Sequence, residues 1–554
     1  LVAGRYQPVA FLRYPLRQSI RIIISKILRA HATGRRSMEQ LTGQDASFLY
    51  AETSKAPMHI GGVSIYDPST AAGGKQRFKD ILNFIEARLH MAKTFRRRLV
   101  DVPFSLDHPY WIEDKDFDLE YHVRHIRLPE PGDQRQLFIQ TARLHARQLD
   151  LSRPLWEFTV IEGLDGIPGL PKGSYAIVSK IHHACIDGVS GADITEVIHS
   201  IEPYPPAPPP PAQSWHGETI PTPFELVARA NMNNFTQPYR FAQLMARAIP
   251  AFARLQSGYM RQKYSVNTVV PRTRFSHVVS GHRVVEGRSF DLAEMKQIKS
   301  AVEGATINDA VLAVCGGGLR KYLEAKRELP KTSLIAMAPI SVRAADESQQ
   351  MGNQVAAMMV ALGTEIADPM QRLAAVHASA ASSKAMTHAV GAKLMTDFSQ
   401  FIPSTMAALA TRLYTEMGLA ETLAPAFNCV ITNVPGPQFP LYSAGARLVT
   451  QFGLGPIFDG MGLILPVFSY CGQITISVNS CREMMPDPEL FAECLQQSFD
   501  ELLSASAQTG VAVSGTKSGA KQTAAKKHTA TKKTAPKRKA SAAMKLNSTP
   551  TGSA

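Results

Sequence analysis

Cysteine is scarce in this chain and follows no pattern: Cys185, Cys315, Cys429, Cys471, Cys481 and Cys494 form no C-x-x-C and no zinc spacing. In a chain of 554 residues this excludes a disulfide scaffold and predicts buried free thiols in a reducing, cytoplasmic compartment. Long apolar runs are also missing. None reaches the roughly 18 residues of a spanning helix, and the nearest, Gly462 to Val478, is broken by Pro466, Tyr470, Gly472 and Gln473 and reads as strands. There is no H-E-x-x-H and no carboxylate cluster, so no metal site is expected. The absence of G-x-S-x-G removes the simplest serine esterase. Acidic residues are absent from both ends: residues 1–37 carry eight Lys/Arg and residues 505–554 carry ten. The net +14 therefore belongs to the ends, and residues 38–504 hold a net charge of −4.

What is present suits a globular protein of more than one core, with 45% hydrophobic and 19% charged residues. The first methionine is Met38, and residues 1–37 read as a basic leader, an upstream artefact rather than part of the fold. If translated, Ile20 to Leu28 among Arg17, Arg21, Lys26 and Arg29 would form a basic amphipathic helix at a membrane surface. Residues 38–201 mix strands and helices. Strands are predicted at His59 to Tyr66 and Ser174 to Ile181, and helices at Phe78 to Arg98, at Leu137 to Leu149 and from Gly191 through Ile198. Residues 202–287 open with a proline-rich spacer, Pro203 to Ala212, and continue into a helix-prone crossover, Phe224 to Tyr264. In residues 288–504 a helix is predicted from Thr306, where Asp309 three residues on resembles a capping box. Strands follow at Ser333 to Ala338, Val355 to Leu362, Phe427 to Thr432 and Gln473 to Asn479, with a closing helix from Pro488 to Leu503. Within the Thr306 helix, Gly316-Gly317-Gly318 costs about 1 kcal/mol per glycine relative to alanine, so close packing or ligand approach is expected there. The Lys/Ala/Thr-rich tail, 505–554, lacks the apolar surface to fold alone. It reads as solvated, or as a binder of anionic lipid or nucleic acid.

The segment that carries chemistry is His182-His183-Ala184-Cys185-Ile186-Asp187-Gly188. Neighbouring side chains of a strand face opposite sides, so only one of the two histidines can enter a given cleft. That arrangement is poor for ligating one metal ion and good for a single general base. An imidazole with an ordinary pKa of about 6.5 is largely neutral at pH 7 and can take a proton from an attacking hydroxyl. No protein nucleophile is needed if the acyl group arrives activated.

H-H-x-x-x-D-G is the signature of the acyltransferases that include chloramphenicol acetyltransferase and peptide-synthetase condensation domains. From about Met38 to Ser504 the chain resembles one branch, the bacterial wax ester synthase/diacylglycerol acyltransferases. The matching pieces, in order, are Leu41-Thr42-Gly43-Gln44-Asp45-Ala46-Ser47-Phe48, Pro154-Leu155-Trp156, Thr306-Ile307-Asn308-Asp309, Pro339-Ile340-Ser341-Val342-Arg343 with Gly352-Asn353-Gln354, and Thr432-Asn433-Val434-Pro435-Gly436-Pro437. Arg274-Phe275-Ser276-His277 departs from the family's Pro-Phe-Asn. The resemblance implies an α/β (α+β) fold of two chloramphenicol-acetyltransferase-like domains, mixed sheets flanked by helices, with a tunnel at their interface. It implies acyl-CoA as co-substrate with no cofactor, diacylglycerol or a long-chain alcohol as acceptor, and a peripheral place on a membrane or lipid body. It makes His183 the general base, His182 supportive and Asp187 an orienting charge, with Arg343 a candidate partner. Gly188 would permit the turn, and Trp156 would wall the acyl channel or sit in the core. Asn308 would be a polar contact and Asp309 mainly structural. A condensation-type transferase using a carrier-protein thioester and a non-catalytic lipid-surface or nucleic-acid-binding protein are the alternatives.

Overall fold

The computed structural model describes residues 38–185, 191–211, 215–235, 270–341, 355–390, 413–414 and 416–517. The basic leader, most of the crossover after residue 235 and the tail from residue 518 lie outside them, as do Asp187, Gly188, Arg343 and Asn353.

Two six-stranded mixed sheets organise the chain. The strands, in chain order, are β1 (Glu39–Gln40), β2 (His59–Asp67), β3 (Arg97–Val100), β4 (Tyr110–Glu113), β5 (Val123–Arg127), β6 (Trp156–Glu162), β7 (Tyr175–His182), β8 (Arg283–Asp291), β9 (Ile335–Ser341), β10 (Val355–Ala361), β11 (Cys429–Pro435), β12 (Tyr442–Ser443), β13 (Ala446–Leu454), β14 (Leu463–Tyr470) and β15 (Gln473–Cys481). The first sheet runs β12-β13-β2-β7-β6-β5 and the second β10-β9-β11-β14-β15-β8, while β1, β4 and β3 form a small third. The longer helices are α1 (Gly43–Ala51), α2 (Phe78–Glu86), α3 (Gln134–His145), α4 (Gly191–Ile198), α5 (Leu292–Ser300), α6 (Ile307–Ala325), α7 (Pro369–Val390) and α8 (Pro488–Lys517).

The first sheet is completed by a late segment of the chain. β13 pairs antiparallel with β2, matching Phe452 to Val63 and Gly453 to Gly62. The same strand is tied to the second sheet, because Thr475 Oγ1 donates to Gln451 O at 2.7 Å and Asn479 Nδ2 to Gly453 O at 3.2 Å. A buried cluster of Val63, Phe138, Val285 and Phe452 fills this seam from β2, α3, β8 and β13. Separate cores lie under each sheet: one around Trp156, Phe95 and Phe158, the other around α6, Phe491 and Leu495.

Several sequence expectations change here. The helix expected over Phe78 to Arg98 ends at Glu86, gives way to short 3-10 turns and becomes β3, because pairing with β4 outweighs local helical spacing. Cys471 is exposed, unlike the other five thiols, since it sits in the turn between β14 and β15. The Gly316-Gly317-Gly318 run serves close packing. A Cβ on these residues would stand 2.3 Å from Leu362 O, 2.1 Å from Ser498 Oγ and 2.7 Å from Leu495 Cδ2, so the neighbours of α6 leave no room there for a side chain.

Candidate active site

The local sequence builds the site outward from α1. Thr42 caps this helix: its Oγ1 accepts from Asp45 N–H at 3.1 Å and its hydroxyl donates to Asp45 Oδ2 at 2.6 Å. With the start of α1 held in this way, Phe48 meets His183. The two rings stack with centroids 3.7 Å apart and planes 13° apart. The early Leu-Thr-Gly-Gln-Asp motif thus places one wall of the imidazole's surroundings.

The two histidines sit where β7 ends. His182 is the last strand residue, and His183 opens a 3-10 turn, His183–Cys185. Their backbones are clamped from both sides. His182 N–H donates to Leu155 O at 2.9 Å and His183 N–H to Met58 O at 2.8 Å. Leu155 belongs to Pro154-Leu155-Trp156, so this second motif acts on the histidines through its main chain. The Trp156 side chain lies in the core: it is 1% exposed, donates Nε1–H to Phe95 O at 3.0 Å and stacks on His122 with centroids 4.5 Å apart.

The side chains of the pair meet different neighbours, the chain leaving the strand between them. His182 Nδ1 accepts from Ala184 N–H at 3.1 Å. A neutral His182 therefore carries its proton on Nε2, which faces Glu52 Oε2 at 3.3 Å. The other oxygen of Glu52 is 3.5 Å from His59 Nε2, and His59 stands directly opposite His182 across β2 and β7. None of the three side chains is more than 3% exposed. Burial alone would raise the Glu52 carboxyl, but hydrogen bonding and charge interaction with His182 and His59 together outweigh it and hold it at about 2. Glu52 is thus an anion at neutral pH, buried between two imidazoles. A further neutral histidine, His145, stands edge-on to His59 with centroids 6.2 Å apart and bonds Gly455 O through Nε2 at 3.1 Å.

His183 is more open than His182, yet enough protein surrounds it that burial pushes its pKa down to about 4. It is neutral at pH 7, and a neutral imidazole carries a lone pair that can accept a proton. Protonation switches it off only as pH falls through about 4. Cys185, two residues on, is buried and its thiol is pushed far above the ordinary range, which makes it a poor nucleophile.

The remaining expected residues divide. Asn308 Oδ1 accepts from Asn433 Nδ2 at 3.3 Å, which joins the Asn-Asp and Thr-Asn-Val-Pro-Gly motifs. Asp309 caps α6 by accepting from Thr306 N–H at 2.8 Å, and its Oδ2 is 2.9 Å from His377 Nδ1. The divergent Arg274-Phe275-Ser276-His277 segment also anchors structure: Phe275 is fully buried, Arg274 grips Glu328 and His277 Nδ1 is 2.7 Å from Glu421. Asp187 and Gly188 lie outside the described residues. Among the described residues no group of three His, Cys, Asp or Glu side chains has metal-holding geometry.

Sequence reasoning missed Glu52 and His59. An acid one residue past a helix and a histidine opening a strand look like solvated surface until β2 and β7 are paired. Glu52→Gln removes the anion while keeping the shape. Its expected effect is a loss of about 1–3 kcal/mol of stability from poorer pairing of buried donors. A loss of about 1.4 kcal/mol of transition-state positioning would lower kcat about tenfold. Partial recovery in Glu52→Asp, with KM steady in both, is the check on a positioning role; unchanged kcat in Glu52→Gln refutes it.

Comparison with known proteins identifies the family and the fold. The model of the wax ester synthase/diacylglycerol acyltransferase catalytic domain matches residues 41–311, and that of the WS/DGAT C-terminal domain matches residues 351–503. A Mycobacterium tuberculosis protein provisionally named diacylglycerol O-acyltransferase Rv1760 is 34% identical over 475 residues, covering 85% of this chain and 91% of its own. The solved wax ester synthase/diacylglycerol acyltransferase of Marinobacter aquaeolei VT8 superposes with a TM-score of 0.58 at 25% identity, covering 84% of this chain and 100% of that one. The first condensation domain of the calcium-dependent antibiotic synthetase shares the fold alone, with a TM-score of 0.50 at 13% identity over 85% of this chain and 96% of that one. The chain belongs to the wax ester synthase/diacylglycerol acyltransferase family.

Proposed function

We propose that the chain moves a long-chain acyl group from acyl-CoA to the hydroxyl of diacylglycerol or a long-chain alcohol, with His183 as the general base. The observation that carries this is a neutral, ring-stacked imidazole at the end of β7, clamped through its backbone and backed by the Glu52–His182 pair. The acceptor oxygen attacks the thioester carbonyl while its proton passes to His183. The tetrahedral intermediate then collapses, the C–S bond breaks, and the departing CoA thiolate takes the proton back from the imidazolium. The acyl group is already activated as a thioester, so the protein supplies position and a proton acceptor rather than a nucleophile. Donor and acceptor reach His183 from opposite sides, through a tunnel between the halves. The test is acceptor-dependent release of CoA thiol from a long-chain acyl-CoA, measured with diacylglycerol and with hexadecanol. Release that does not depend on either acceptor refutes the reading.

The enzyme works at a lipid surface. Among the described residues no helix is long and apolar enough to cross a membrane. One face nevertheless carries Phe104 at 87% and Phe235 at 89% exposure, with Leu106 and Met232 beside them. It is held together where Asn234 Nδ2 donates to Leu106 O at 3.0 Å and Asn233 Nδ2 to Asp107 Oδ2 at 2.7 Å. Apolar side chains so placed suit insertion among the lipids in which the acceptors dissolve. Burying one phenylalanine contributes about 1.5–3 kcal/mol, so Phe104→Ser with Phe235→Ser should weaken partition onto phospholipid vesicles at least about tenfold. Unchanged sedimentation with vesicles would count against this face.

A further inference from the structure

A cleft of about 630 Å³ lies between α3, the first residues of β8 and the segment from Arg482 to Glu489 that leads into α8. Arg135, Arg143, Arg147, Arg283 and Arg482 line it, against only two carboxylates, Glu286 and Glu489. Glu489 is engaged by Arg135 at 3.3 Å, and Glu286 is buried and bonded by Gln134 and Arg288. Arg143, Arg147 and Arg482 are exposed, and among the described residues none has a carboxylate within ion-pair distance. Arg283 is held by Ser280 O and Lys55 O, yet five arginines on one cleft are unexpected in a body whose residues 38–504 carry a net −4. The helix dipole accounts for Arg143 and Arg147, near the C-terminal end of α3, but not for Arg135 in its first turn, nor for Arg283 and Arg482. Between the arginines the floor is apolar, made by Phe138, Ile139, Ala142, Val284 and Val285. Cationic walls over an apolar floor suit a ligand with several phosphates and a flat ring.

The cleft also lies close to the histidines. From the inward face of α3, His145 reaches His59, and His59 stands 5.9 Å, ring to ring, from His182. One face of α3 thus lines the cleft while His145 on the same helix reaches the rings behind the motif. Lys180 reinforces that partition, donating from β7 to Leu144 O at 3.2 Å and Arg147 O at 3.1 Å.

Taking the acyl-CoA reading above as its basis, the geometry points to this cleft as the seat of the donor's phosphoadenosine end. Its arginines take the diphosphate and the 3′-phosphate, and its apolar floor takes the adenine. The pantetheine arm then runs past the end of α3 toward His183. The experiment titrates the full chain with 3′-phospho-ADP, which needs no turnover, and compares Arg143→Glu/Arg482→Glu and the milder Arg143→Gln/Arg482→Gln with wild type. The charge reversals should weaken binding about tenfold or more, with the glutamines between. They should also lower kcat/KM for acyl-CoA about tenfold relative to that for the matching acyl-pantetheine, which has no phosphoadenosine. Equal 3′-phospho-ADP binding in all three proteins overturns the assignment. So does loss of binding to phosphatidylglycerol vesicles with 3′-phospho-ADP binding intact, which would make the cleft a lipid-headgroup site. If wild type releases no CoA with either acceptor, the transferase reading fails, and the titration still decides the cleft.

Discussion

His183→Ala should lower acceptor-dependent CoA release by about 10²–10⁴-fold, the usual contribution of a positioned general base. The protein should remain folded, because the backbone bond from His183 N–H to Met58 O survives and only the ring stack on Phe48 is lost. The neighbouring substitution should behave differently. His182→Ala takes away the imidazole that faces Glu52 at 3.3 Å and leaves the buried carboxylate, among the described residues, with His59 at 3.5 Å. Breaking a buried pair from one side costs about 3–5 kcal/mol. The two alanine variants should therefore separate by phenotype: His183→Ala loses kcat at nearly constant Tm, whereas His182→Ala loses Tm first. Equal rates for wild type and His183→Ala would remove the histidine from the chemistry.

Acid should unfold this protein unusually early. Burial pushes His59, His183 and His199 down to about 4 and His145 to about 3. In the unfolded chain each would titrate near the ordinary 6.5. Above pH 6.5 these groups are neutral in both states and contribute no pH dependence. As pH falls from 6.5 toward 4 the unfolded chain takes up protons that the native fold refuses, so stability decreases. With four such groups the slope approaches about 5 kcal/mol per pH unit. A typical stability of about 5–15 kcal/mol would then be exhausted within about two or three units. Glu52 extends the loss with the same sign: held at about 2 in the fold, it contributes stability above its ordinary value of 4.5 that is lost as pH falls from there. Thermal melts from pH 7.5 to 4.5 are the measurement. A Tm that stays flat between pH 6.5 and 5 would mean that these histidines accept protons within the native state.

The mixed α/β class and the family were legible in the residues, as was the candidate histidine motif, because each depends on local order. Strand β7 shows as an apolar run leading to His182, the Thr306–Asp309 cap shows as a spacing of three, and the ordered motifs show as short strings. The functions of those motifs were less visible. Leu155 serves through its carbonyl, Phe48 through a ring face and Asn433 through a partner 125 positions away. None of these leaves a mark in composition or periodicity.

By itself, then, the sequence determined the candidate chemistry and most of the elements, since hydrophobic period, caps and the adjacent histidines are written along the chain. Tertiary structure decided what surrounds that pair. Pairing β2 with β7 sets His59 opposite His182, and the end of α1 brings Glu52 between them. Docking α3 against β8 gathers arginines from three distant segments around one cleft. Enclosure keeps the His183 imidazole neutral, the two imidazoles hold Glu52 as an anion, and the meeting of distant segments gathers the arginines. Burial and proximity depend on which distant segments meet, and only the folded chain specifies that.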